Sequence, residues 1–158
     1  MENKINFVKG DATKPMRTGN KIIVHVCNDI GAWGKGFVVA ISKRWSEPEK
    51  QFRQWYKGKE NFYLGAVQFV QVDNGIWVAN LIGQHRIKKD EYGNAPIRYE
   101  AISAGLENVS ILAIENKASV HMPRIGCGLA GGTWDKIEPI IVNKLVNNKV
   151  ATYIYDLL

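Results

Sequence analysis

Two glycine-rich stretches, far apart in the chain, carry the residues best suited to hold a ligand. The first is Asn28-Asp29-Ile30-Gly31-Ala32-Trp33-Gly34-Lys35-Gly36, and the second is Gly126-Cys127-Gly128-Leu129-Ala130-Gly131-Gly132. Each follows a short apolar run that reads as a strand, Ile22 to Cys27 and Val120 to Ile125, and each precedes a stretch that reads as a helix. A strand, a glycine loop and a helix bring backbone N–H groups together where an anion can sit. Two such loops point to a ligand with two phosphates, or to one phosphate gripped from both sides. The familiar nucleotide signatures do not fit. No GxxxxGK followed by Ser or Thr is present, and Gly31 to Gly36 does not spell GxGxxG.

The other reactive side chains are few. Cys27 and Cys127 are the only cysteines, with no CxxC spacing, and read as packing or loop residues in a reducing compartment. The three histidines and two cysteines show no spacing such as HxxxH, so no metal is expected. No cofactor is expected either.

The elements that must position the loops alternate. Ile5 to Lys9 and Lys21 to Cys27 read as strands, the second apolar on both faces apart from His25. Phe37 to Trp45 has helical spacing, and Ser46-Glu47-Pro48 opens a second helix to about Tyr56. Ala66 to Val72 and Ile76 to Ile82 flank Asp73-Asn74-Gly75, a hairpin signal. Gly83 to Pro96 is a polar loop long enough to suggest a function. Ile97 to about Asn116 reads as a helix, Ser119 to Ile125 as a strand, Thr133 to about Asn147 as a helix, and Val150 to Tyr155 as a last strand. This alternation predicts an α/β fold with a mixed central sheet between helical layers. Ligands of such sheets bind beyond the carboxyl ends of the strands, where both glycine loops fall.

At 158 residues, 46% hydrophobic and 23% charged, the chain suits one globular domain over residues 1–158, expected to be a monomer. No apolar run reaches membrane-spanning length, and no secretory segment is visible at Met1-Glu2-Asn3-Lys4, so a cytoplasmic location and no membrane partner are expected. The net charge of +6 favours anionic partners, nucleotides and nucleic acid included. The basic residues are scattered, and the densest group, Arg86 to Lys89, reads as a solvated loop.

Several segments resemble the macro domain, an ADP-ribose-binding module, over almost the whole chain. They are Val8-Lys9-Gly10-Asp11-Ala12-Thr13, His25-Val26-Cys27-Asn28, Gly31 to Gly36, Met122-Pro123-Arg124 through Gly132-Thr133-Trp134, and Ile154-Tyr155-Asp156-Leu157. The chain is most similar to the branch holding ADP-ribose-1″-phosphate phosphatases and terminal ADP-ribose hydrolases. The resemblance implies a three-layer α/β/α macro-domain fold and a ligand-binding set. Asp11, beside Ala12, would accept a hydrogen bond from the adenine amine, or else form a turn or cap. Asn28 would hold distal ribose hydroxyls, or else shape its own turn. Gly34 and Gly36 would let backbone approach the distal ribose and a phosphate, and Lys35 would add charge or point to water. Gly126, Cys127, Gly128, Leu129, Ala130 and Gly131 would wrap the diphosphate. Tyr155 would stack on adenine, or else be a core or surface tyrosine.

The chemistry implied is less uniform. Hydrolases of the branch use a lysine where this chain has Gln84 and an aspartate near Ala130, and neither residue can take that role. The phosphatase pattern, His25-Val26-Cys27-Asn28 followed by the glycine/tryptophan loop, matches. It implies that His25, with Asn28, faces a 1″ phosphate as nucleophile or general acid; a buried histidine satisfied by backbone is the alternative. Asp29 and His85 are secondary candidates. The leading expectation is an ADP-ribose-1″-phosphate phosphatase. The alternatives are a non-catalytic reader of ADP-ribose or ADP-ribosylated targets, a hydrolase removing ADP-ribose from protein or nucleic acid, and a basic nucleic-acid-binding domain.

Overall fold

The computed structural model describes residues 3–157. Its strands are β1 (Ile5–Lys9), β2 (Lys21–Asn28), β3 (Val67–Asp73), β4 (Ile76–Gln84), β5 (Ser119–Met122) and β6 (Thr152–Asp156). Its α-helices are α1 (Phe37–Arg44), α2 (Glu47–Gly58), α3 (Tyr99–Asn116) and α4 (Trp134–Lys144). The strands form one sheet in the order β1-β6-β5-β2-β4-β3. All neighbouring pairs are parallel except β3 with β4, the hairpin signalled by Asn74-Gly75. Parallel pairing explains why β2 and β4 are almost continuously apolar: both of their faces are covered.

Two cores flank the sheet. Ile22 and Val24 of β2 pack with Ile102, Leu106 and Val109 of α3 and with Ile137 and Ile141 of α4. Ile23 and Cys27, on the opposite face of β2, pack with Val38 and Ile41 of α1 and Phe52 of α2. The result is a three-layer α/β/α arrangement with a mixed sheet. No helix among the described residues is long and apolar enough to cross a membrane.

The connections decide where a ligand can sit. From β2 the chain leaves toward the α1/α2 layer, and from the adjacent β5 it leaves toward α4 on the other face. Adjacent parallel strands whose connections diverge leave a crevice at their carboxyl ends. Both glycine loops start there.

Element ends differ from the sequence expectation by one to three residues at several places; β4, for one, runs on through Gly83 to Gln84, which the sequence put in the polar loop, and three other differences show their cause. Strand β5 stops at Met122 rather than Ile125, because Pro123 has no N–H for the ladder. Helix α3 begins at Tyr99 rather than Ile97, because Ile97 is held in extended pairing: it bridges Gln84, and its N–H donates to the Ala130 carbonyl at 3.0 Å. Helix α4 ends at Lys144, and the chain tightens into a short 3-10 turn at Val146–Asn148 before β6 starts at Thr152.

Candidate functional site

Sheet order lays the candidate residues out in a row. Along the carboxyl edge come Asp11 after β1, Tyr155 and Asp156 at the end of β6, the second glycine loop after β5, the first after β2, and Gln84-His85 at the end of β4. Four interstrand steps of about 4.8 Å make this row roughly 19 Å long. It suits an extended dinucleotide better than a single phosphate.

The two loops meet in the middle. Leu129, 68% exposed at the tip of the second loop, reaches over the first. Its Cδ1 lies 3.4 Å from where a β-carbon on Gly36 would stand. Gly36 is also the N-cap of α1, at φ 82°, and no side chain caps the helix. The N–H groups of Gly34, Lys35 and Gly36, like those of Gly128, Leu129 and Ala130, donate to no described residue. Two sets of uncommitted amides therefore lie in loops that flank one crevice, one of them at a helix N-terminus. The second loop is closed on itself by the Gly132 N–H bond to the Gly126 carbonyl at 2.7 Å.

Asp11 holds its own turn. Its Oδ1 accepts from the Thr13 N–H at 2.8 Å and the Thr13 hydroxyl at 2.7 Å. Burial acts to raise this carboxyl, but the Thr13 bonds, with Lys14 and Arg44 nearby, outweigh it and hold it below the ordinary value. Oδ2 makes no bond to the described residues. Ala12 is buried beneath the turn. Asn28 is likewise engaged with its own loop: Oδ1 accepts from Ile30 and Ala32 N–H, and Nδ2 donates to the Ala32 carbonyl. One amide hydrogen of Asn28 is left.

His25 does not face the crevice. It is 1% exposed, in the core between β2 and the α1/α2 layer. Its Nε2–H donates to Asn80 Oδ1 at 2.6 Å, and its ring meets Trp33 edge-on at 5.3 Å. Nδ1 is buried without a partner among the described residues. Burial, only partly offset by the Asn80 bond, pushes its pKa down to about 4, so the ring is neutral at pH 7. This placement gives His25 a supporting role under Trp33 of the first loop. Asn80 completes the network by donating to the Pro48 carbonyl and to Gln68 Oε1. Truncating it removes the partner of buried His25 Nε2 and a donor from the Pro48 carbonyl and half-buried Gln68, so Asn80→Ala is expected to cost about 2–3 kcal/mol in urea unfolding. An unchanged midpoint would show the network to be dispensable.

Tyr155 is also internal, at 4% exposure. Its hydroxyl accepts from the Met16 N–H at 2.9 Å and bonds His121 Nδ1 at 2.8 Å. It therefore ties the 11–18 loop to the sheet and presents no open ring face. Burial raises both cysteine thiols, Cys27 strongly, which leaves neither as a thiolate nucleophile.

Two clusters flank the row, one without a role in the sequence reading and one, Asp29 with His85, a secondary candidate there. Arg124 pairs with Asp156 through two bonds of 2.8 and 3.0 Å, and its guanidinium lies over Phe7 and Trp134. Asp156 also accepts the Gly10 N–H through its carbonyl, which puts the pair beside Asp11. Asp156 ends β6 and Arg124 lies two residues past β5, both at the carboxyl edge of parallel strands, and that position was the available signal. At the other end, His85 Nδ1 bonds Asp29 Oδ2 at 2.6 Å, and the Arg86 N–H bonds Asp29 Oδ1 at 2.7 Å. Gln84 turns its amide to the Arg86 carbonyl. The 85–96 loop closes at its base through His85 N–H to Pro96 and Arg98 N–H to Gly83, and encloses a cleft of about 630 Å³.

No family model matches the chain. Among solved structures, a protein of unknown function from Bacteroides thetaiotaomicron is 56% identical, with 98% of each chain covered and a TM-score of 0.96. A macrodomain protein from Streptomyces coelicolor is 51% identical over 97% of this chain and 99% of its own, with a TM-score of 0.87. Among curated relatives, the chromodomain-helicase-DNA-binding protein 1-like of Mus musculus is 34% identical over 96% of this chain, which spans only 17% of that protein's length. The ADP-ribose 1″-phosphate phosphatase of Lodderomyces elongisporus is 22% identical over 96% of this chain and 99% of its own.

Proposed function

Because the chain belongs to the macrodomain family, as its likeness to the Streptomyces protein shows, we propose that it binds ADP-ribose along the carboxyl edge of the sheet and hydrolyses ADP-ribose-1″-phosphate to ADP-ribose and phosphate. The observation that carries the binding half is the meeting of two loops of uncommitted amides at Gly36 and Leu129. A diphosphate between them receives the N–H groups of Gly128, Leu129 and Ala130 on one side and of Gly34, Lys35 and Gly36 on the other, with the Lys35 side chain adding charge. Asp11 takes the adenine amine through Oδ2, beside Ala12. The distal ribose then falls at Asn28, whose remaining amide hydrogen meets a hydroxyl. His25 and Tyr155 act as positioning residues, the first beneath Trp33 and the second behind the 11–18 loop.

The name of the Lodderomyces elongisporus relative, matched over 99% of its own length, supports the phosphatase half. A second reading, a reader that binds ADP-ribose without turnover, is favoured by the burial of His25 and by Gln84 and Ala130 in place of ionisable side chains. Calorimetry with ADP-ribose and phosphate release from ADP-ribose-1″-phosphate separate the two. Micromolar binding with release well above the no-enzyme rate is the expected result. Binding without release leaves the reader, and no binding ends both.

A further inference from the structure

The geometry points to His85 as the proton-transfer group at the 1″ end of the ligand, with Asp29 as its positioning residue. This rests on the phosphatase reading above. Of the three histidines, His25 and His121 are buried and bonded within the core, whereas His85 is 43% exposed by its side chain and lines the 630 Å³ cleft. Its Nδ1–H donates to Asp29 Oδ2, which fixes the tautomer and the ring, and Nε2 makes no bond to a described residue. Asp29 is itself pinned: its side chain is 16% exposed, its Oδ1 accepts the Arg86 N–H, and its own N–H donates to the Gln84 carbonyl at 3.2 Å. A register shift between Cys27 and Asn28 pairs Asn28 with Gln84 and skips Gly83, which re-aims the end of β4 and brings His85 against the first loop.

The cleft lies where the row requires it. Ile30 of the first loop forms one wall. Ala95 forms another and abuts the second loop, its Cβ 2.8 Å from where a β-carbon on Gly131 would stand. A group on the distal ribose, beyond the diphosphate, projects into this cleft. Arg86, Lys88 and Lys89 line it and suit a phosphate dianion.

The step balances with one histidine. A water oxygen bonds to phosphorus while the P–O1″ bond breaks, its electron pair passing to O1″. Nε2 takes one proton from the water and returns it to O1″. The products are ADP-ribose with a free 1″ hydroxyl and hydrogen phosphate.

The test is phosphate release by the whole chain, wild type against His85→Ala and His85→Gln, with ADP-ribose titration and a thermal midpoint to show that each variant is folded. The expected result is a fall of at least 100-fold in kcat, KM within threefold, ADP-ribose affinity unchanged, and partial recovery of His85→Ala by added imidazole. Variants that turn over within threefold of an active wild type overturn the role of His85 and leave the phosphatase reading intact. A loss of kcat that comes with lost affinity and no imidazole recovery also overturns it, as a structural effect. A wild type that binds ADP-ribose but releases no phosphate removes the phosphatase reading, and this proposal with it.

Discussion

Gly132→Ala is expected to weaken ADP-ribose binding by at least 100-fold, about 2.7 kcal/mol. A β-carbon there would stand 2.5 Å from the Gly126 carbonyl oxygen and 3.3 Å from its carbon. Both atoms are backbone, so no rotamer change relieves the clash and the turn must open. The 2.7 Å bond from Gly132 N–H to that same oxygen is lost with it. That bond closes the loop that aims the Gly128, Leu129 and Ala130 amides at the crevice, and preorganised donors lose most of their value once they must be reordered on binding. Gly128→Ala is the matched control. Its β-carbon meets nothing within 4 Å, so the loop keeps its shape, and its cost in calorimetry is expected to stay under tenfold. Wild-type affinity in Gly132→Ala would mean that the closed loop does not hold the diphosphate.

Acidification from pH 7 to pH 4 is expected to destabilise the fold by several kcal/mol through two histidines. Burial, offset in part by the Asn80 bond, lowers His25 to about 4. Burial, with the charges of Lys21 and Arg17, lowers His121 to about 3. Between the ordinary histidine value and these values the unfolded chain binds protons that the folded chain does not, so stability falls as pH falls through that window. At pH 4 each histidine accounts for roughly 3 kcal/mol, a large share of the 5–15 kcal/mol typical of a domain. Asp11 and Asp156, both held below the ordinary carboxylate range, extend the loss at still lower pH as they protonate. Urea unfolding at pH 7, 5.5 and 4.5 reads the slope, and His25→Gln and His121→Gln should each remove about half of it. A slope unchanged in both variants would assign acid sensitivity to other groups.

The loop-strand-helix grammar was legible because it is local. Lys21 to Cys27 could only be a strand covered on both faces, Asn74-Gly75 could only close a hairpin, and the second glycine cluster could only be a turn with free amides. Element ends were less legible where long-range bonds set them. Ile97 reads as helix until the Ala130 carbonyl captures its N–H, a partner far along the chain.

The roles of individual side chains divided in the same way. Asp11 and Asn28 each had a ligand role and a turn role open to them. The structure commits Asp11 Oδ1 and most of the Asn28 amide to their own turns, leaving one oxygen and one hydrogen for a ligand. His25 sits in a phosphatase-like motif, yet the two-residue period of β2 turns it into the α1/α2 layer beneath Trp33. His85 and Asp29 were separate secondary candidates, and only the pairing of β2 with β4 sets them together across 56 positions of the chain.

By itself the sequence determined that this is an α/β chain with two anion-ready glycine loops, because strand period, turn chemistry and glycine content act over a few residues. The tertiary structure alone decided that the loops face each other across the β2–β5 crevice, which histidine is buried and which is open, and where the row of groups ends. Strand order and face are settled by packing between distant segments, and short-range propensity carries no record of it.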